Sequence, residues 1–204
     1  SAIIGAAEIL EGRPADDDRR RFAISVGEQA RRLQGIIERM LMLARVEQLQ
    51  APEDAVQVDL GGLLQCCVDE RSLSLQARRL SCSLAIGEPL DVRGDPFLLR
   101  QALLNLLDNA IAFSPAGGDI EIALQRRDQR AEVSLRDHGN GAPDYALPQV
   151  FDRFYSLASP ASGKKSSGLG LALVREVARL HGGEADFANH PEGGALARLL
   201  LPLA

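Results

Sequence analysis

The residues Phe22, Val26, Gln29, Leu33, Ile36, Met40 and Leu43 recur at alternating steps of four and three. That spacing lines one stripe of an α-helix and marks a seam packed against other helices. Ile37, Leu41 and Ala44 widen the stripe beyond a two-helix seam, as a bundle helix requires. The pattern predicts a helix from Asp16 to about Gln48, with Asp16 to Asp18 suited to the positive end of its dipole. Ahead of it, Ser1 to Glu11 reads as a short apolar helical piece, stopped by Gly12, Arg13 and Pro14. The two form a helical hairpin. A hairpin alone buries too little apolar surface, so packing against a second copy in a four-helix dimer is expected.

The polar stretch Gln50 to Ala55, with Pro52, ends this periodicity. Beyond it, strands are expected at Val56 to Val58, Leu80 to Ile86, Leu90 to Val92, Ile120 to Gln125, Ala131 to Asp137, Glu184 to Ala188 and Ala195 to Leu201. Helices are expected at Leu60 to Ala77, from Pro96 to about Phe113, and from the region after Gly168 through Leu180. Strands grouped with three helices predict an α/β sandwich, the helices covering one face of a mixed sheet. The fold class is therefore α+β: a hairpin over 1–49, a linker over 50–55 and a sandwich domain over 56–204.

With 46% hydrophobic and 25% charged residues the chain has material for a core, and a net charge of -5 with no basic run argues against a nucleic-acid partner. The three cysteines, Cys66, Cys67 and Cys82, form no CxxC pair, which suits a reducing compartment. No apolar run has membrane-spanning length, so a membrane link is expected only through segments outside this sequence.

Three short patterns carry chemistry. Gln101, Asn105, Asp108, Asn109 and Ala112 fall in one stripe of the Pro96 to Phe113 helix. An ordinary exposed stripe favours Glu, Lys and Arg, which are better helix formers than Asn or Asp. An amide oxygen ligates a hard cation without adding charge, and Mg²⁺ takes only one or two protein oxygens, the rest coming from phosphate and water. Taken alone, such a pair is more often a solvent-facing stripe. In Arg136 to Pro143, an aspartate at a strand end, Asp137, precedes Gly139 and Gly141. A buried carboxylate there suits the exocyclic amine of adenine, while a plain turn is the bland alternative. In Ser166 to Val174, Gly168 and Gly170 sit just ahead of a helix, where free N–H groups and the dipole suit phosphate. Neither a P-loop nor a GxGxxG fingerprint is present. In fixed order on one sandwich, the three patterns are far more specific than any one.

Together they resemble the N, G1, F and G2 boxes of the sensor histidine kinases of two-component systems, whose nucleotide-binding fold is shared with DNA gyrase B, MutL and the heat-shock chaperone ATPases. The resemblance implies a kinase that binds ATP and Mg²⁺. Asn105 and Asn109 match the N box, with Asn109 the implied Mg²⁺ ligand; Asp137, Gly139 and Gly141 match G1, with Asp137 on the adenine amine. Phe151 and Phe154 match the F box, and Gly168, Leu169, Gly170 and Leu171 match the phosphate-side G2 box. The hairpin matches the dimerisation and phosphotransfer unit. The implied partners are a second copy and a response-regulator receiver domain, and the implied location is the cytoplasmic part of a bacterial inner-membrane protein.

Two departures stand out. The N box is commonly followed by Lys and a Tyr-like aromatic, where this chain has Ala112 and Phe113; Arg153, Lys164 or Lys165 is expected to supply the missing phosphate cation. The family's phosphoacceptor lies in an H-E-x-x-S/T-P motif, and the opening SAIIGAAEIL resembles the residues just downstream of that motif. The acceptor is thus expected upstream of Ser1, so this chain should bind nucleotide without phosphorylating itself. His138, His181 and His190 lack the acceptor's flanking residues and suit packing, capping or surface roles. The long stretch between Gly139 and Gly168 reads as a lid, with Phe151, Arg153, Phe154 and Tyr155 as a movable plug, poorly ordered without nucleotide. An ATPase of the gyrase or chaperone class is disfavoured by Gln101 where those proteins carry a catalytic Glu. A non-catalytic dimerisation and regulator-docking module with a decayed nucleotide site is the alternative, favoured only by Ala112.

Overall fold

The structure, a computed structural model, describes residues 16–160, 163 and 165–204. The expected helical piece at Ser1 to Glu11 lies outside the described residues, as does Lys164. The chain divides into two units, Ser1–Met42 and Leu43–Ala204. In the first, α1 (Asp16–Gln48) begins, and its apolar stripe is largely uncovered: Leu33, Ile37, Met40 and Leu41 are 49%, 56%, 45% and 67% exposed. The last turns of α1 belong to the second unit, where Leu43 and Val46 are buried.

The second unit continues with β1 (Val56–Asp59), α2 (Leu60–Glu70), α3 (Ser72–Ala77), β2 (Ser81–Ile86) and β3 (Asp91–Gly94). Next come α4 (Pro96–Phe113), β4 (Asp119–Arg127), β5 (Arg130–Asp137), α5 (Gly170–Leu180), β6 (Glu184–Asn189) and β7 (Ala195–Pro202). A mixed five-stranded sheet runs β2-β4-β5-β7-β6, with β2 and β4 parallel and the other pairs antiparallel. The expected order of helices followed by an α/β sheet is what the chain adopts.

Strand alternation sets which side chains enter the core. Ile120, Ile122 and Leu124 of β4, Ala131, Val133 and Leu135 of β5, and Ala197, Leu199 and Leu201 of β7 all point inward. They meet Leu99, Leu103, Leu106 and Leu107 of α4 and Leu173, Val174 and Val177 of α5, all buried. Each such Leu removed from water contributes roughly 1.5–3 kcal/mol. Asp95 caps α4, its Oδ1 accepting from the N–H groups of Phe97 and Leu98 at 2.8 and 3.2 Å, with Pro96 fixing the first turn.

Two details differ from the sequence expectation. The helix foreseen from Leu60 to Ala77 is broken at Arg71, whose N–H is shared between the carbonyls of Cys67 and Val68 and whose backbone leaves helical geometry. The early strands β1 and β3 form a separate two-stranded antiparallel sheet rather than joining the main one. Among the described residues no helix is long and apolar enough to cross a membrane.

Candidate functional site

The alternation of β5 carries Asp137 inward on the same row as Ala131, Val133 and Leu135, and only 3% of it is exposed. Its Oδ1 accepts from the N–H of Gly139 at 2.9 Å and of Ala195 at 3.2 Å. Among the described residues no donor reaches Oδ2. Burial pushes this carboxyl above the ordinary Asp value, and the two backbone donors oppose the shift. A buried carboxylate anchored through one oxygen, with the other available, fits the amine of a purine base.

The turn after Asp137 lies against the C-terminal end of α4. A Cβ added at Gly139 would stand 2.4 Å from the Phe113 carbonyl oxygen, so no larger residue passes there. Gly141 adopts φ +69°, and a Cβ there would meet Asn189 Oδ1 at 2.6 Å.

On α4, Asn105 donates through Nδ2 to the Gln101 carbonyl at 2.7 Å, which leaves its Oδ1 turned to the first residue of α5. A Cβ at Gly170 would lie 2.9 Å from that oxygen. Asn109 is half-buried and its amide bonds to no described residue, so a neutral oxygen is left for a hard cation. Asp108 departs from its stripe-mates. It is exposed and holds Arg71 through Nε at 2.6 Å and Nη2 at 3.0 Å, which removes it from the amide pair.

The segment between the two glycine-bearing turns returns to α4 as well: Ser159 Oγ donates to the Ala112 carbonyl at 2.7 Å. Phe151 lies beneath the guanidinium of Arg175 on α5, 5.8 Å from the ring centroid. Phe154 adopts φ +64°, its N–H donates to the Gly168 carbonyl at 2.9 Å, and the residue is 61% exposed. Gly168, at φ +67°, has no room for a Cβ, which would meet Tyr155 O at 2.5 Å. Arg153 is ion-paired with Glu47 at the end of α1, and Lys165 is exposed and bridges to Ala158. The α5 helix starts without a side-chain cap. Leu169 is 1% exposed and belongs to the core, whereas Leu171 is half-buried. The N-terminal N–H groups of α5 are therefore donors for an anion.

The G1 and G2 patterns thus meet the N-box helix α4, and the F pattern meets G2. Gly139 touches Phe113, Gly170 faces Asn105, Ser159 bonds Ala112, and Gly168 locks Phe154.

Residues 94–204 match the family described as Histidine kinase-, DNA gyrase B-, and HSP90-like ATPase, and residues 1–49 match the His Kinase A (phospho-acceptor) domain. The chain belongs to this ATPase family. Within the histidine kinase branch, it is 42% identical to the sensor protein CreC of Escherichia coli K12 over 98% of its own length and 42% of CreC's. The chain therefore spans less than half of that relative. Among solved structures, the ATP binding domain of PrrB from Mycobacterium tuberculosis is 31% identical and superposes with a TM-score of 0.57 over 74% of this chain and 99% of that one. Full-length ShkA in complex with AMPPNP is 24% identical, with a TM-score of 0.77 over 100% of this chain and 42% of that one, which establishes the shared fold. The resemblance to sensor kinases drawn from the four motifs is borne out.

Histidine roles are now visible in this histidine kinase homologue. His138 pairs through Nε2 with Glu121 at 2.9 Å, and His190 Nδ1 accepts from the Glu192 N–H at 3.2 Å in a turn. His181, 8% exposed, donates through Nδ1 to the Val177 carbonyl at 2.7 Å and accepts at Nε2 from the N–H of Asp95 at 3.0 Å. It ties the end of α5 to the start of α4, and a Cβ at Gly94 would collide with its ring at 2.4 Å. Burial holds its pKa below the usual value, as a neutral ring accepting a hydrogen bond requires. The motif reading missed Asn189, Gly194 and Ala195, which touch the Asp137 turn from the neighbouring β6–β7 hairpin. The pair Gly193–Gly194 behind Pro191 was the available signal, because adjacent glycines at a hairpin mark close backbone approach.

Proposed function

We propose that this chain binds Mg-ATP at the α4 site and is the cytoplasmic kinase core of a sensor histidine kinase. The observation that carries the reading is Asp137: a buried carboxylate whose Oδ1 is held by two backbone donors while Oδ2 has no protein donor among the described residues. Oδ2 accepts from the exocyclic amine of adenine; guanine, with an oxygen at that position, is refused. Asn109 is the protein ligand for Mg²⁺, with Asn105 beside it. When bound, the metal supplies positive charge against the phosphate oxygens.

The chain's own groups do the remaining work of positioning. The uncapped N–H groups around Gly168 and Gly170 hold the phosphates at the positive end of α5. Lys164, Lys165 and Arg153 supply the cation that Ala112 lacks, and Phe151 and Phe154 exclude water. The γ-phosphoryl passes to a histidine upstream of Ser1 and then to an aspartate of a response-regulator receiver domain. Dimerisation runs through the helical hairpin, a reading supported by the phospho-acceptor domain match over 1–49 and the uncovered apolar stripe of α1. Membrane attachment belongs to segments beyond this sequence.

The test is titration of this chain with ATP in the presence and absence of Mg²⁺, alongside labelled-ATP incorporation into it and into a chain extended upstream through the expected histidine motif. Saturable, metal-dependent binding with label only in the extended chain is expected. No binding would favour the decayed-site alternative, and label in the shorter chain would place the acceptor within it.

A further inference from the structure

The turn that presents Asp137 is gripped from the neighbouring β6–β7 hairpin by a side chain outside the four motifs. Asn189, the last residue of β6, makes a reciprocal pair of hydrogen bonds with Ala142: the Ala142 N–H donates to Oδ1 at 2.7 Å and Nδ2 donates to the Ala142 carbonyl at 2.7 Å. The amide copies the pairing of a neighbouring strand and closes the backbone circuit just after Gly141. Gly141 in turn lies against Asn189 Oδ1, which a Cβ would meet at 2.6 Å. At the other end of the same turn, Ala195 N–H holds Asp137 Oδ1, and Gly194 packs its Cα onto the Asp137 carbonyl. The segment from Asp137 to Ala142 is therefore pinned at both ends to the β6–β7 hairpin. Between the pins, Gly139 N–H supplies the second donor to Oδ1 and so sets where Oδ2 points.

Resting on the adenine reading of Asp137, we infer that Asn189 is a positioning residue for base recognition: its amide fixes the Asp137 turn, and with it the discrimination of adenine from guanine nucleotides. Asn189 lies at an exposed strand end, and its side chain contributes little to the core. Its removal leaves a folded protein in which the far pin is gone and the Gly139 donor is free to shift. A mispositioned acceptor of this kind costs selectivity before it costs the fold.

The experiment compares wild type, Asn189→Ala, Asn189→Asp and Asp137→Asn by Mg-ATP and Mg-GTP titration and by thermal unfolding. Asn189→Asp keeps the acceptor for the Ala142 N–H but loses the donor to its carbonyl. The expected result is about a tenfold loss of ATP affinity in Asn189→Ala, a narrowed ATP-to-GTP ratio, an intermediate ratio in Asn189→Asp, and a melting temperature near wild type. An ATP-to-GTP ratio equal to wild type in both Asn189 variants, while Asp137→Asn loses its preference, would overturn the positioning role and leave the base reading intact. If Asp137→Asn also keeps its preference, the base reading itself falls.

Discussion

The two ends of the proposed nucleotide site are built by different means. At the base end, backbone meets backbone: Gly139 on the Phe113 carbonyl, Gly194 on the Asp137 carbonyl, and two N–H groups on one buried carboxylate oxygen. At the phosphate end, Gly168 packs on the Phe154 and Tyr155 backbone, but the other contacts run through side chains: Arg153 on Glu47, Ser156 on Ser166, Arg175 on Phe151, with Asn109 bonding to no described residue. The base end is thus organised before a ligand arrives, while the phosphate end keeps donors and acceptors for one. Rigid backbone suits a choice between two bases. Side-chain contacts suit a segment that must rearrange around phosphate and metal.

The largest expected effect tests that contrast with two glycines. Gly194, at φ +82°, would place a Cβ 1.8 Å from the Asp137 carbonyl oxygen, whereas Gly163, at φ +65°, has nothing within 4 Å among the described residues. Gly194→Ala should lose about 2–4 kcal/mol in urea unfolding, because strand β5 must shift. Gly163→Ala should lose only the left-handed backbone penalty of about 1 kcal/mol. Equal losses would mean the base end is no more constrained than the lid.

Next comes Asp137 itself. Asp137→Asn should weaken ATP binding roughly 10- to 100-fold, the worth of one charged hydrogen bond. The pH dependence has a definite sign. Burial raises the carboxyl's pKa, so the acceptor form is lost on acidification at a higher pH than for an exposed aspartate. Wild-type affinity should fall from above the usual carboxylate range, and the Asn variant should be flat there.

A third, smaller effect concerns His181, which ties the end of α5 to the start of α4, at the opposite end of α4 from the Gly139 contact. Its pKa is lowered in the folded chain from the usual 6.5. The stability it contributes is therefore fully present above that value and is lost as pH falls through the folded pKa. His181→Leu leaves the Asp95 N–H without its partner, while the Val177 carbonyl keeps the backbone N–H of residue 181, and should cost about 1–3 kcal/mol at neutral pH. It should also flatten the acid-side slope of urea stability. An unchanged slope would show that another group titrates there.

These features differ in how far the sequence disclosed them. The strand end at Asp137 was legible, but its inward position, on the row of Ala131, Val133 and Leu135, came with the structure. Helix α4 was legible from its Pro96 start and its leucines, and the structure added Asp95 as its cap. The features that stayed hidden depend on partners distant in sequence. Asp108 looked like part of the amide stripe until Arg71, 37 positions away, claimed it. The separate β1–β3 sheet arises from antiparallel pairing between short strands, which neither strand specifies alone. Asn189 reaches Ala142 across 47 positions, a distance local periodicity does not encode.

The smallest effect discriminates among the lid cations. Removing the charge at Arg153, Lys164 or Lys165, as Arg153→Gln, Lys164→Gln and Lys165→Gln, should weaken Mg-ATP binding by about two- to fivefold each. The losses should shrink as salt rises, because exposed charges are screened. Arg153 already neutralises Glu47, so its own contribution should grow when Glu47→Gln releases it. Unchanged affinity in all three single variants would mean that α5 and the metal alone hold the phosphates. The phosphate end would then be as fully backbone-built as the base end, and the contrast between them would disappear.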